Sequence, residues 1–350
     1  MQRLPHQYID RRTGRAVTEK LIADSTVNFI YQRVREKAPQ AFQALTSARA
    51  CGLLGWLRYD LALGSRLGGQ GLLSALGVRI NELLDDPGQL DTPRKVFERR
   101  IRYWQCRPMP DDTSAVVSPS DSRVLMGSLA QTSALFIKEK FFSLAELLGG
   151  VGSRWWQAFQ GGDYAVFRLT PDKYHYNHVP VSGRVVAHFQ LDGAFHSCNP
   201  GALLCLAAPY SKNRRVVTVI DSDCPRGTGA GLVAMVEVVA LMIGEVAQRY
   251  SAQAYDDPQD LEPGMWLEKG QPKSLFRPGS STVILLFEPG RVAFAPDLLA
   301  NLRAPGVATR FSQGLGHSLV ETEVEVRAPI ASALPPGRPP DRDLDAEGNQ

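Results

Sequence analysis

The clearest pattern of secondary structure lies in residues 279–294, Gly279-Ser-Ser-Thr-Val-Ile-Leu-Leu-Phe-Glu-Pro-Gly-Arg-Val-Ala-Phe294. A turn of small residues precedes the run Val283–Phe287, whose β-branched and aromatic residues predict a short buried strand. Glu288–Arg291 has proline at its second position and glycine at its third, which predicts a type II turn that reverses the chain. The stretch therefore indicates β structure in the C-terminal part of the chain.

Further short runs bounded by glycine, proline, aspartate or asparagine predict more strands. They are Tyr164–Leu169, Arg184–Leu191 and Arg215–Asp221. Leu319–Arg327 alternates strictly, which predicts a half-buried antiparallel strand whose glutamates face solvent. Because helices and strands do not alternate and no G-x-G-x-x-G occurs, a doubly wound nucleotide-binding domain is not supported.

The N-terminal part has a different pattern of apolar residues, and residues 18–90 are predicted to be helical. Ser25 is predicted to cap a helix with one apolar face. That face consists of Val27, Ile30, Tyr31 and Val34.

Residues 53–80 fit either a helix in a membrane interface or a bundle packed on its own core. Residues 94–107 hold six basic side chains, and they form either a lipid head-group surface or a solvated helix face.

Composition excludes several classes of protein. The 350 residues include 39 Lys+Arg and 36 Asp+Glu, and this net charge of +3 argues against a strongly basic nucleic-acid binder. The five cysteines form no C-x-x-C pair and no zinc spacing, which predicts reduced thiols and no metal site. We find no signal-like N-terminus and no run of about 18 apolar residues, and therefore expect a soluble or peripheral protein.

Three short motifs carry the residues of chemical interest. They are Val117-Ser-Pro-Ser-Asp121, Tyr174-His-Tyr-Asn-His178 and Gly279-Ser-Ser281. Aspartate, histidine and serine are the groups that a base-activated hydroxyl needs. Each motif alone is equally explained by turn or surface residues, and His175 and His178 have a spacing that also suits two ligands of a metal.

In this order and spacing, the motifs resemble the phosphatidylserine decarboxylase family. The resemblance covers most of residues 8–328, and its most specific parts are the Tyr-His-x-x-His and Ser-Ser-Thr motifs. There are three departures from the family pattern. They are Ser122 in place of glycine, Tyr176 in place of arginine, and Val96-Phe-Glu-Arg99 in place of Phe-Phe-x-Arg. The first bears on self-processing, and the other two bear on lipid head-group recognition.

The resemblance implies a self-cleaving carboxy-lyase that converts phosphatidylserine to phosphatidylethanolamine and CO2. His178, oriented by Asp121, would deprotonate the hydroxyl of Ser281, which attacks the carbonyl of Ser280. Ser281 would become a covalent pyruvoyl group, which forms a Schiff base with the substrate amine and accepts its electrons. His175 would protonate or position the decarboxylating intermediate.

The implied products of cleavage are a β chain, residues 1–280, and an α chain, residues 281–350. The expected fold is α+β, with a helical membrane-docking region over 1–107 and a β-rich antiparallel catalytic domain over 108–330. Residues 331–350 are rich in proline and charge and are expected to be disordered. The resemblance implies that the protein lies on an anionic membrane surface, at the cytoplasmic face of a bacterial cell membrane. It does not decide whether the protein forms a homodimer.

Three other functions stay open on the sequence. One is a pyruvoyl-dependent decarboxylase that acts on a soluble amino acid. Another is a serine hydrolase that uses Asp121, His178 and Ser281 directly, although the chain lacks the G-x-S-x-G motif of a nucleophile elbow. The last is a non-enzymatic homologue in which the bond between Ser280 and Ser281 stays intact.

Overall fold

The computed structural model describes residues 5–59, 68–130, 140–241, 245–277 and 281–337. The strands of this part are β1 Gln7–Asp10, β2 Arg15–Thr18, β3 Ala115–Val117, β4 Ser122–Ser128, β5 Asp163–Leu169, β6 Tyr176–His178, β7 Gly183–Leu191, β8 Arg215–Asp221, β9 Leu232–Val238, β10 Val246–Gln248, β11 Trp266–Leu267, β12 Pro272–Phe276, β13 Ser281–Phe287, β14 Val292–Phe294, β15 Thr322–Val324 and β16 Pro329–Ala333. The α-helices are Asp24–Phe29, Arg35–Lys37, Pro39–Leu45, Ala48–Tyr59, Gly68–Ala75, Pro93–Phe97, Tyr103–Cys106, Leu144–Leu147, Arg154–Phe159, Pro200–Cys205, Pro209–Lys212, Pro296–Asn301 and Arg310–Leu315. A π-helical turn covers Ile30–Val34, and 3₁₀ turns cover Ile80–Glu82 and Pro87–Gln89.

A large, mostly antiparallel sheet forms the centre of the described structure. Its strand order is β11-β7-β8-β9-β13-β5-β4-β15-β1-β2. Strand β13 is fully buried between β5 and β9 and pairs antiparallel with both. The strands predicted around 164–169, 184–191, 215–221 and 283–287 are confirmed, because each lies within one strand of this sheet.

Two smaller sheets complete the β structure, with orders β10-β12-β6 and β14-β16-β3. Side chains of β13 alternate between two apolar clusters, with Ile284 in one cluster and Val283 in the other. The predicted turn after β13 is present, since Gly290 has a φ of 69° and Arg291 N donates to Glu288 O at 3.3 Å. The chain then continues into β14, which pairs with β16.

The prediction for Leu319–Arg327 is partly wrong. Only Thr322–Val324 is a strand, and it pairs parallel with β1 as well as antiparallel with β4. Glu321 is 1% exposed and therefore does not face solvent. Its carboxylate is buried because Arg168 and His6 lie within hydrogen-bond distance of it, at 2.5 and 2.8 Å.

The N-terminal part is not helical throughout. The hairpin β1–β2 joins the large sheet, because Tyr8 and Ile9 are buried there. Ser25 is not the helix cap, since the first helix begins at Asp24 after Ala23 and has no side-chain cap. Of the predicted apolar face, Val27 and Tyr31 are buried. In the described ranges, no helix is long and apolar enough to cross a membrane.

The disorder expected from residue 331 onward is wrong for the first residues of that range. Residues 331–333 belong to β16, which pairs with β3 and β14, so they are ordered in a sheet. Residues 338–350 lie outside the described residues. The domain boundaries at 107 and 330 stay a prediction.

The basic stretch 94–107 does not form a free cationic surface. Two of its six basic side chains are buried, since Arg99 and Arg107 are each 4% exposed. The ion pairs are Arg94–Glu98, Lys95–Asp91, Arg100–Asp85 and Arg107–Asp121, while Arg99 and Arg102 donate to backbone carbonyl groups. Val96, Phe97 and Ile101 are buried, so the stretch is not a wholly solvated helix face. Lys95 and Trp104 are exposed, and a head-group surface stays a prediction.

Candidate active site

Asp121 lies in the loop between β3 and β4 and is buried. Arg107 Nε and Nη2 donate to its carboxylate at 3.0 and 2.7 Å, and the backbone N–H of Val326 donates to it at 2.8 Å. Burial alone would raise the pKa of Asp121, but the charge and hydrogen bonds of Arg107 hold it below its ordinary value. Asp121 is therefore an ionised carboxylate in the interior.

His178 ends strand β6 and is fully buried. Its backbone N–H donates to Pro119 O at 2.7 Å, which ties β6 to the loop that carries Asp121. The ring Nδ1 lies 2.8 Å from Gly270 O, and a carbonyl can only accept, so Nδ1 carries a proton. Burial lowers the pKa of His178 to about 3, and the neutral ring therefore keeps its lone pair on Nε2.

Gly270 supplies this carbonyl from a conformation that favours glycine. Its φ is 78°, and a Cβ at this position would lie 2.4 Å from Met109 Sδ. The Gly270 N–H donates to Val179 O, so the N–H and the carbonyl of Gly270 are both hydrogen-bonded at the end of the strand that carries His178. The backbone at Gly270 thus fixes which nitrogen of His178 is protonated.

Ser281 is the first residue of β13 and is fully buried. It pairs with Leu169 at the end of β5. Its Oγ has no hydrogen-bond partner among the residues that the structure describes. Ser280 and Gly279, the other residues of the predicted cleavage motif, lie outside the described residues.

His175 is fully buried one residue before β6 begins. Its ring packs on the ring of Phe97, with 4.6 Å between the centroids. Its backbone carbonyl accepts a hydrogen bond from Phe276 N at 3.1 Å. Phe276 is the last residue of β12, five positions before Ser281, so backbone pairing brings the histidine motif to the segment that leads into the serine.

Strand pairing puts Ser281 beside Leu169 and the start of β4, which follows Asp121, beside Arg168, so both lie at the same end of β5. The expected triad hydrogen bonds are not formed among the described residues. Asp121 is bonded to Arg107 rather than to His178, and Ser281 Oγ is not bonded to His178 within the described part of the chain. Instead, His178 Nε2 lies 2.9 Å from the hydroxyl of Tyr174. The catalytic roles of these residues stay predictions.

Comparison with known proteins identifies the family of this chain. The model of the family described as phosphatidylserine decarboxylase matches residues 94–316. A phosphatidylserine decarboxylase proenzyme of Nitrosococcus oceani is 30% identical over 320 residues, which cover 87% of this chain and 99% of that protein. The chain belongs to the phosphatidylserine decarboxylase family.

Other members of the family are similar over most of this chain. The proenzyme of Chlamydia trachomatis serovar D is 29% identical over 308 residues, which are 88% of this chain and 95% of the relative. Proenzyme 3 of Schizosaccharomyces pombe is 26% identical over 337 residues, 95% of this chain and 31% of the relative. The word proenzyme in these names is consistent with a precursor that is processed.

Sequence reasoning missed three residues that shape this site: Arg107, Tyr174 and Tyr255. Arg107 belongs to the basic stretch that fits either a head-group surface or a solvated helix face, and nothing in that stretch marks it as the partner of Asp121, 14 positions away. Tyr174 stood inside the quoted Tyr-His-x-x-His motif, where only the histidines were given roles. Nothing in the sequence near Tyr255 marked it, because its contact with Tyr174 spans 81 positions.

Proposed function

We propose that this chain is a phosphatidylserine decarboxylase proenzyme that cleaves itself between Ser280 and Ser281. The observation that carries the proposal is the Ser281 hydroxyl, which is buried and has no hydrogen-bond partner in the described structure. Leaving a buried hydroxyl unpaired costs about 1–3 kcal/mol. The hydroxyls of Thr282 and Thr322 also lack a described partner, so the unpaired state supports a reactive role for Ser281 only together with its place in the Ser-Ser-Thr motif of the family.

The family implies a pyruvoyl group made from Ser281, and the position fits this group. The residue is the first of its strand, and its side-chain oxygen is not engaged by a neighbouring described side chain, so its conversion breaks no hydrogen bond of the fold. A pyruvoyl group supplies the electron sink that decarboxylation of an amino acid requires.

His178 is suited to accept the proton of the Ser281 hydroxyl. It is neutral because burial lowers its pKa, and its lone pair is on Nε2 because Nδ1 donates to Gly270. The Tyr174 hydroxyl, 2.9 Å from Nε2, has to turn away before this lone pair can accept the Ser281 proton.

The charge of Asp121 acts in the opposite direction to burial and raises the pKa of His178. Arg107 keeps Asp121 ionised, but the positive charges of Arg107 and Arg327 act with burial and lower the pKa of His178.

The two products of cleavage would stay associated through the central sheet. Every residue of β13 is buried, and the strand pairs with β5 along 281–287 and with β9 along 282–287. The break at the start of β13 removes none of these pairings. Residues 281–350 would therefore remain bound to residues 1–280 without a covalent link.

For the membrane, we propose peripheral docking through apolar side chains rather than through the basic stretch. Phe29, Leu53 and Trp56 are 55%, 57% and 49% exposed. Such side chains on surface helices can enter the interfacial region of a bilayer. Residues 60–67, within the range predicted to insert, lie outside the described residues.

The experiment that tests the substrate compares two carboxyl-labelled compounds. Purified protein is incubated with phosphatidylserine in mixed micelles or with free serine, and the released labelled CO2 is counted. We expect release from phosphatidylserine alone, and none from the Ser281→Ala variant. Release from free serine instead would favour the soluble amino-acid decarboxylase, and self-cleavage without either release would refute both substrates.

A further inference from the structure

A buried network of polar side chains connects the small sheet β10-β12-β6 to the central sheet. Glu237 of β9 is its centre, and its carboxylate accepts from Lys273 Nζ at 2.6 Å and from Asn177 Nδ2 at 3.2 Å. The hydroxyl of Ser274 also donates to this carboxylate, and Asn177 Nδ2 donates to the Ser274 oxygen at 3.0 Å. All four residues are fully buried. Strands β6 and β12 are therefore attached to β9 through one carboxylate.

This network lies on the face of the central sheet that carries the side chain of Ser281. Glu237 pairs directly with Val283 of β13, and directly paired residues point to the same face of a sheet. Ser281 lies two positions before Val283 in the same strand, so alternation places its side chain on that face too. The carboxylate is thus one strand and two residues away from position 281.

His175 lies on the same side of β6 as Asn177. Tyr176 and His178, on either side of Asn177, belong to the opposite face, where their rings contact tyrosines. His175 precedes β6, but its carbonyl still accepts from Phe276 N of β12, which extends the pairing to it. Because Asn177 binds Glu237, His175 also faces the central sheet.

The small sheet is oriented so that its His175 end lies toward the start of β13. Phe276, whose N–H binds the His175 carbonyl, pairs with Val246 of β10. Val246 lines the same small cavity as Val239, which comes directly after β9. The end of β9 lies beside the start of β13, because the two strands are antiparallel.

The spacings in the two sheets therefore match. Asn177 is bonded at the level of Glu237 and Val283. From that level, His175 is two residues away in one sheet and Ser281 is two residues away in the other, toward the same end. The hydrogen bond between Asn177 and Glu237 thus sets how His175 stands relative to position 281.

We propose that Asn177 and Glu237 are positioning residues for decarboxylation, which hold His175 in register with residue 281 of the central sheet. The inference rests on the proposed function, since it takes His175 to act on substrate bound at that residue. Lys273 supplies the counter-charge without which a buried carboxylate at position 237 would be costly. A displacement of about 1 Å can slow a reaction about 100-fold, so a firm attachment of the histidine strand matters to the rate.

The first test measures amide hydrogen exchange in uncleaved Ser281→Ala protein with and without Glu237→Leu/Lys273→Met. Replacing a whole buried ion pair with apolar residues of similar volume is often neutral or stabilising, so the melting temperature should not fall. We expect exchange in residues 175–179 and 272–276 to become about 10-fold faster, because the small sheet loses its attachment. Exchange in β5 should stay unchanged, whereas a general loss of stability would speed it as well.

The second test measures kcat and KM for CO2 release from phosphatidylserine by the cleaved protein. Asn177→Leu keeps the size of the side chain and removes the bonds of Nδ2, while Oδ1 has no partner among the described residues. We expect kcat to fall about 10- to 100-fold in this variant and in the double variant. KM should stay unchanged, because the replaced side chains are buried and the surface of the protein is kept.

Ser222→Ala is the matched control for loss of buried hydrogen bonds beside β9. Its hydroxyl donates to Gly231 O at 2.8 Å and accepts from Ala230 N at 2.9 Å, at the opposite end of that strand from Glu237. We expect this variant to be less stable and to keep the parent kcat.

The outcomes are distinguishable from failure of the proposed function. If the parent chain releases no CO2 from phosphatidylserine, the function is wrong, and hydrogen exchange in Ser281→Ala protein still decides whether the network attaches the small sheet. Unchanged exchange in the double variant, or the parent kcat in Asn177→Leu, would overturn the inference. An equal fall of kcat in Ser222→Ala would also overturn it, because kcat would then follow stability in general. If the double variant does not fold, Asn177→Leu takes its place in the exchange measurement with the same expected result.

Discussion

Burial of a neutral histidine makes the stability of the uncleaved protein depend on pH. The pKa of His178 is lowered from 6.5 to about 3 in the folded chain, and the first cause is burial. Between these two values the unfolded chain binds a proton that the folded chain does not bind. The stability contributed by the neutral ring is therefore present above the unfolded pKa and is lost as pH falls toward 3.

The magnitude follows from the same two values. Each pH unit below 6.5 costs about 1.4 kcal/mol, so a change from pH 7.5 to pH 4.5 should lower the free energy of unfolding by about 3 kcal/mol through His178 alone. Other groups also titrate in this range. Their contribution is removed by comparing the parent with a variant that lacks only this ring.

The assay is urea unfolding of Ser281→Ala protein and of Ser281→Ala/His178→Gln protein at both pH values. Glutamine does not titrate, and its amide can still accept from Tyr174 and donate to Gly270. We expect the free energy of unfolding to fall by about 3 kcal/mol more in the histidine-containing protein. An equal fall in both proteins would refute the buried neutral state of His178.

Further predictions concern the carboxylate, the second histidine and the membrane. Asp121→Asn should block self-cleavage on a gel and lower the melting temperature, because Arg107 loses its buried counter-charge; normal cleavage would remove Asp121 from the machinery. His175→Ala should still cleave but release no CO2 from phosphatidylserine, and full decarboxylation would show that His175 is dispensable. Leu53→Ser/Trp56→Ser should abolish co-sedimentation with phosphatidylserine vesicles at both 0.1 M and 1 M salt, whereas Val151→Ser, which is 78% exposed in the parent, should bind normally. Binding that vanishes in 1 M salt for the parent chain would contradict apolar docking.

The strands around the site were predictable because their side chains are buried on both faces or bounded by turn residues. β5, β7, β8 and β13 read as short apolar runs, and each run coincides with one strand. The motif residues were predictable because they are close together in sequence or match a family pattern. Both the strands and the motif residues can therefore be predicted from short stretches of the sequence.

Long-range electrostatics was not predictable in this way. Glu321 alternates with apolar residues as a solvent-facing glutamate does, but Arg168, 153 positions away, makes it a buried ion. Arg107 stands in a run of basic residues, and only the fold shows that it belongs to Asp121 rather than to a lipid surface. In both cases the partner that stabilises the charge is brought close by tertiary packing, which local patterns do not contain.

Conversion of Ser281 to a pyruvoyl group requires cleavage of this chain, and intact mass spectrometry of the purified protein detects both events. We expect two components, residues 1–280 and residues 281–350 beginning with a pyruvoyl group, and a single full-length mass for Ser281→Ala. A single uncleaved mass for the parent chain, or a fragment that begins with an unmodified serine, would contradict it.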